Sequence, residues 1–113
     1  MVSKRPNVVA LPVGSVLGPL MVQIKTAAAK TENVFLSPHA RKQMWSREIT
    51  DVEVFKVLRS GMISGVPWNE PEIGGMACKI IGRHAGGRWI GVVTVVIYEG
   101  KLVVKTVEWE DRR

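Results

Sequence analysis

Between residues 34 and 61 apolar positions recur at helical spacing, and beyond Gly61 the period shortens to two. The first helix has a defined start. Ser37 is a good N-cap, and Pro38 at the first helical position forfeits only an N–H that would be unpaired there anyway. Ala40 and Met44, one turn apart, are predicted to face the core with Trp45 beside them, while His39, Gln43 and Arg47, spaced by four, line a polar face. The second helix opens on Thr50-Asp51-Val52-Glu53, a capping box in which the Thr50 hydroxyl and the Glu53 carboxylate serve each other's amides. Ile49 and Val54 are placed as a hydrophobic staple, Val54, Phe55 and Leu58 form the buried stripe, and Gly61 is expected to end the helix in a left-handed conformation.

Met62 to Val66 reads as a short strand and Pro67 to Gly75, with two prolines and a closing Gly-Gly, as a loop. Met76–His84, Arg88–Tyr98 and Lys101–Trp109 read as three strands joined by the turns Ala85-Gly86-Gly87 and Glu99-Gly100, hence an antiparallel meander. In the middle strand Trp89, Gly91, Val93, Val95 and Ile97 share one face, and Ile90, Val92, Val96 and Tyr98, interrupted by Thr94, the other. A strand apolar on both faces has to be covered on both. Two helices cover one; the other calls for the apolar N-terminal segment or a second copy of the chain. The expectation is therefore α+β: two short helices packed on an antiparallel three- to four-stranded sheet, with an apolar N-terminal arm.

Residues 8–24 are apolar and follow Lys4-Arg5, with Ala27-Ala28-Ala29 beyond, which resembles a secretory signal. Pro12, Gly14, Gly18 and Pro19 break that run and are too frequent for a membrane span, so an arm lying extended on the domain is the preferred reading. The segmentation is a partly extended arm over 1–33, one domain over 34–109 and a short tail over 110–113. A length of 113 residues leaves room for one modest core. A single cysteine, Cys78, alternates with Ile80 and reads as a buried small hydrophobe; it excludes an internal disulfide and agrees with a cytoplasmic address. With only His39 and His84 besides, neither a metal site nor a cofactor is expected, and there is no phosphate-binding glycine loop.

The formal charge is +6, from 16 Lys and Arg against 10 Asp and Glu. It is distributed as +5 over residues 1–48, −2 over 49–73 and +3 over 74–113. Such a balance points to an anionic partner, most simply nucleic acid such as RNA. Lys79, Ile81 and Arg83 share a strand face and Arg88 follows the turn; if that face lies near His39, Arg41 and Arg47, a phosphate-binding groove around the imidazole results. The plainer reading is a solvated cationic surface with His39 as a polar contact near the helix start. Of the four tryptophans only Trp68 is expected in an exposed loop, the others at core positions.

The run Leu36-Ser37-Pro38-His39-Ala40, then Met44, Arg47 and Ile49-Thr50, ending in Leu58-Arg59-Ser60-Gly61, resembles the bacterial domain-of-unknown-function 4258 family. Ile81-Gly82-Arg83 and Gly91-Val92-Val93-Thr94-Val95-Val96 are similar to its strands, and the resemblance spans about residues 34–108. That family is similar to the BrnT and RelE toxins, which implies a RelE-like fold, metal-independent endoribonuclease activity in a toxin–antitoxin system, and an antitoxin partner. On the matching positions it implies catalytic roles for His39 and Arg47, with Lys79 and Arg83 steadying the phosphorane. The alternative is a non-catalytic module that binds RNA or protein, including as a homodimer.

Overall fold

A computed structural model describes residues 10–110, with side chains from residue 17 onward. Lys4-Arg5 and the start of the signal-like run, and the tail beyond Glu110, lie outside the described residues. Three α-helices, α1 (Ala10–Ala28), α2 (Pro38–Arg47) and α3 (Asp51–Ser60), accompany five strands: β1 (Val34–Leu36), β2 (Met62–Glu70), β3 (Gly75–Arg83), β4 (Trp89–Ile97) and β5 (Lys101–Trp109). The strand order is β1-β5-β4-β3-β2, antiparallel except for the parallel β1–β5 pair. The expected α+β class holds, with one more helix and at least one more strand. The three-residue β1 is too short to show a period, and only its pairing with Leu102 to Val104 makes it a strand.

The helix starts form as the sequence dictates. Ser37 Oγ accepts the Ala40 N–H at 3.1 Å. In the capping box, Thr50 Oγ1 accepts the Glu53 N–H at 3.2 Å while Glu53 Oε1 accepts the Thr50 N–H at 2.8 Å. Ile49 and Val54 are both buried in the same cluster. Gly61, by contrast, is extended (φ −80°, ψ −169°) rather than left-handed. Its requirement for glycine is steric: a Cβ there would lie 2.4 Å from the Ile81 carbonyl oxygen and 2.6 Å from that of Val57.

The N-terminal segment is helical, not extended. Pro12 falls in the first turn of α1, where a missing N–H has no consequence, whereas Pro19 sits inside the helix at the loss of a hydrogen bond. Burial of Leu20, Ile24, Ala27 and Ala28 offsets that loss. These side chains join Val54, Val57 and Leu58 of α3, Ala40 and Met44 of α2, and Cys78, Ile80, Ile90, Val92, Leu102, Val104 and Val107 of the sheet in one core. Thus α1 packs on the same sheet face as α2 and α3, and does not shield the opposite face as expected. No helix among the described residues is long and apolar enough to cross a membrane.

The outer face is partly closed by the chain itself. β2 runs through Pro67 to Glu70 because its register shifts between Ser64 and Trp68, at a bulge containing Gly65 (φ +83°). An edge position with a bulge is where a strand tolerates proline. Lys105 Nζ then contacts Glu70 Oε1 at 2.5 Å, although β3 and β4 stand between their strands. With strands about 4.8 Å apart, that contact requires the end of β2 to arch over the outer face. Ala77 and Val95 on that face are fully buried.

Candidate nucleic-acid interface

The site grows from how α2 closes the edge of the sheet. Beyond Leu36 the outer edge of β5 loses its partner strand, and α2 takes over. The Ser37 N–H donates to the Val104 carbonyl at 3.1 Å, the Val107 N–H donates to Gln43 Oε1 at 2.8 Å, and Trp109 Nε1 donates to the Arg47 carbonyl at 3.1 Å. Gln43, expected on a polar face, is the side chain that satisfies the Val107 amide on this strand edge.

At the far end of this seam the β3–β4 turn carries two guanidinium–indole contacts at the same end of the sheet, Arg83 with Trp89 on the outer face and Arg88 with Trp109 on the helix side. The Arg83 guanidinium lies 5.5 Å from the centroid of the Trp89 ring, and that of Arg88 lies 3.7 Å from the Trp109 ring. His84 meets the edge of Trp109 with centroids 5.4 Å apart. Its Nδ1 accepts the Gly86 N–H at 3.0 Å and its Nε2 lies 2.5 Å from Glu53 Oε2. Both ring nitrogens are therefore engaged. The amide hydrogen bond from Thr50 holds the Glu53 carboxyl below its ordinary 4.5, with further lowering from the Thr50 hydroxyl and His84 against an opposing effect of burial. Glu53 thus ties the start of α3 to the β3–β4 turn. Trp89 is 38% exposed, so its ring is accessible to a ligand.

Lys79 sits on the outer sheet face between Glu108, at 2.9 Å, and Glu110. The Glu110 chain passes over Gly91, where a Cβ would lie 2.7 Å from its Cγ. Burial pulls the Lys79 ammonium down, but the hydrogen bonds to Glu110 and Glu108 outweigh it and raise its pKa. A lysine held by two carboxylates offers little to a phosphate, and the expected contribution of Lys79 to a cationic groove is not met.

The remaining expected residues divide between the two ends of α2. Arg47, in its last turn, lies at the Trp109 end with Arg83 and Arg88. His39, in its first turn, is exposed and makes no hydrogen bond or ion pair among the described residues. It stands beside Ser37, whose hydroxyl reaches the Lys105 carbonyl at 3.4 Å. Eight residues of helix separate His39 from Arg47 by about 12 Å along the axis, so the cations do not gather around the His39 imidazole. Arg41 faces a separate groove with Met44 and Trp45. Trp45 and Trp89, expected in the core, are 87% and 38% exposed; Trp68 is 42% exposed as expected, but in strand β2 rather than in a loop.

Sequence reading missed the His84–Glu53 pair because its partners belong to different signals. Glu53 is accounted for by the capping box, and His84 lies at a strand end with nothing nearby in sequence to mark it. Cys78 is buried as expected, and desolvation pushes its thiol up to about 11. Among the described residues no group of His, Cys, Asp and Glu could hold a metal ion.

No curated protein and no solved structure matches the chain. Residues 36–109, which include both capped helices and both Arg–Trp contacts, match the family described as "Domain of unknown function (DUF4258)", and the chain belongs to that family.

Proposed function

We propose that this domain binds single-stranded RNA as a non-catalytic module, at the sheet end formed by the β3–β4 turn. The observation that carries this reading is the pair of guanidinium–indole stacks, Arg83 on Trp89 and Arg88 on Trp109. Arg83 and Trp89 oppose each other across β3 and β4 on the outer face, and Arg88 with Trp109, which pairs with Ile90, stands at the same sheet end on the helix side. Unpaired bases stack on aromatic rings and guanidinium planes, and the same cations meet phosphates, which matches the chain's +6 charge. Arg47 extends the cationic rim from the end of α2.

The toxin-like endoribonuclease reading asks for an oriented acid and base. His39 has no partner to orient it, and His84 has both nitrogens committed, so binding is the better-supported function. Anisotropy of a fluorescent single-stranded RNA tests it. Affinity should fall steeply with added salt, and Trp89→Ala should weaken binding roughly tenfold or more, from about 1–3 kcal/mol per stacked base. Arg83→Ala with Arg88→Ala should do likewise while leaving the melting curve near that of the wild type. No binding at low salt, or unchanged binding by these variants, refutes the proposal. RNA cleavage abolished by His39→Ala would restore the endoribonuclease reading.

A further inference from the structure

We infer that two copies of this chain associate about a two-fold axis through the groove between α2 and the start of α3, each placing Trp45 in the groove of the other. The groove is an open hollow of about 740 Å³ lined by Arg41, Met44, Trp45, Glu48, Thr50 and Asp51. Its position follows from α2: Ala40 and Met44 point into the core, and the next residue, Trp45, is carried about a quarter turn round to solvent. Trp45 is 87% exposed, and Val52 in the first turn of α3 is 71% exposed. Large apolar side chains exposed next to a groove mark a surface that is covered in use, and tryptophan is prominent among the residues that dominate interface energies.

The charges identify the occupant as a second copy. The groove carries one guanidinium, Arg41, and two carboxylates, Glu48 and Asp51. The Arg41 guanidinium and the Glu48 carboxylate make no hydrogen bond or ion pair among the described residues. Glu48 stands at φ +58° as the left-handed C-cap of α2. A wholly basic or wholly acidic partner would satisfy one sign and oppose the other. A two-fold interface brings a surface against itself, so that residue i meets j and j meets i. Arg41 then faces Asp51 of the partner subunit twice, and one patch supplies both the projecting ring and the hollow that receives it. This surface is distinct from the Arg83–Trp89 end and does not depend on RNA binding.

Sedimentation equilibrium of the full chain without RNA, from micromolar to submillimolar concentration, tests the inference. The wild type should reach the mass of two chains. Trp45→Ala should weaken association by about thirtyfold or more, the loss expected of a central interface tryptophan, with the circular dichroism spectrum unchanged because the ring is exposed in the single chain. Arg41→Glu and Asp51→Arg should each be monomeric, and their equimolar mixture should dimerise, since the reversed charges are again opposite at both contacts. A wild type that stays monomeric throughout overturns the inference. So does a dimer that Trp45→Ala leaves intact, or a mixture no more associated than its components.

Discussion

Replacing Glu53 separates two interactions that one carboxylate makes at once. Oε1 completes the capping box with the Thr50 N–H and Oε2 meets His84 Nε2. The capping hydrogen bond is worth about 0.5–1.5 kcal/mol. The pair with His84, whose side chain like that of Glu53 is 26% exposed, adds about 0.5–1 kcal/mol after solvent screening. Glu53→Ala should therefore destabilise by about 1–2.5 kcal/mol, a fall in melting temperature on the order of 5–10 °C. Glu53→Gln keeps an oxygen for the Thr50 amide and should lose only about 0.5–1 kcal/mol, the part that depends on charge. The pH dependence has a definite sign. The Glu53 carboxyl titrates lower in the folded chain than its ordinary 4.5, so the unfolded chain binds its proton more readily. Its contribution is complete above about 4.5 and vanishes as pH falls through the lowered folded value. Urea unfolding of wild type and Glu53→Gln should show a gap at neutral pH that closes in acid. A gap of constant size, or a Glu53/His84 double-mutant cycle with no coupling, would refute this account of how α3 is tied to the β3–β4 turn.

Leu58→Ala, at a fully buried position where α3 meets the sheet, should cost about 2–5 kcal/mol in urea unfolding. Two glycines should respond for different reasons. Gly61→Ala meets backbone oxygens at 2.4 and 2.6 Å and should destabilise strongly, whereas Gly65→Ala meets no atom within 4 Å and should lose only about 1 kcal/mol for its φ of +83°. Cys78, buried with its thiol raised to about 11, should resist a disulfide-exchange reagent at pH 8 in the folded chain and react rapidly in denaturant. Immediate reaction of the folded protein would show that the core around β3 opens.

The helix starts and the meander were legible because their signals are local. Ser37-Pro38, Thr50 with Glu53, and the alternation through β3, β4 and β5 are read within a few residues of one another, and the backbone obeys them wherever no distant contact opposes. The glycine at position 61 was legible as a helix stop but not for its reason, since the atoms that exclude a Cβ include the Ile81 carbonyl, twenty residues away. At the candidate site the sequence marks Arg47, Arg83 and Arg88 as cations but not the indoles that Arg83 and Arg88 meet, and Lys79 reads as available charge because nothing near it in sequence shows that Glu108 and Glu110 come from two strands over to hold it.

What the sequence determined alone is the α+β class, the two capped helices, the buried thiol and the basic charge of the chain. Each follows from local hydrogen-bonding geometry, side-chain period or composition. Only the tertiary structure decided that the N-terminal segment is a helix on the same face as the others, because the burial of Leu20 and Ile24 against α3 and the sheet outweighs Pro19. It alone decided that α2 serves as the edge of the sheet, that Trp45 is turned outward, and that His84 belongs with Glu53. Those outcomes depend on which distant surfaces exclude water together, a property of the packed chain that no window of sequence contains.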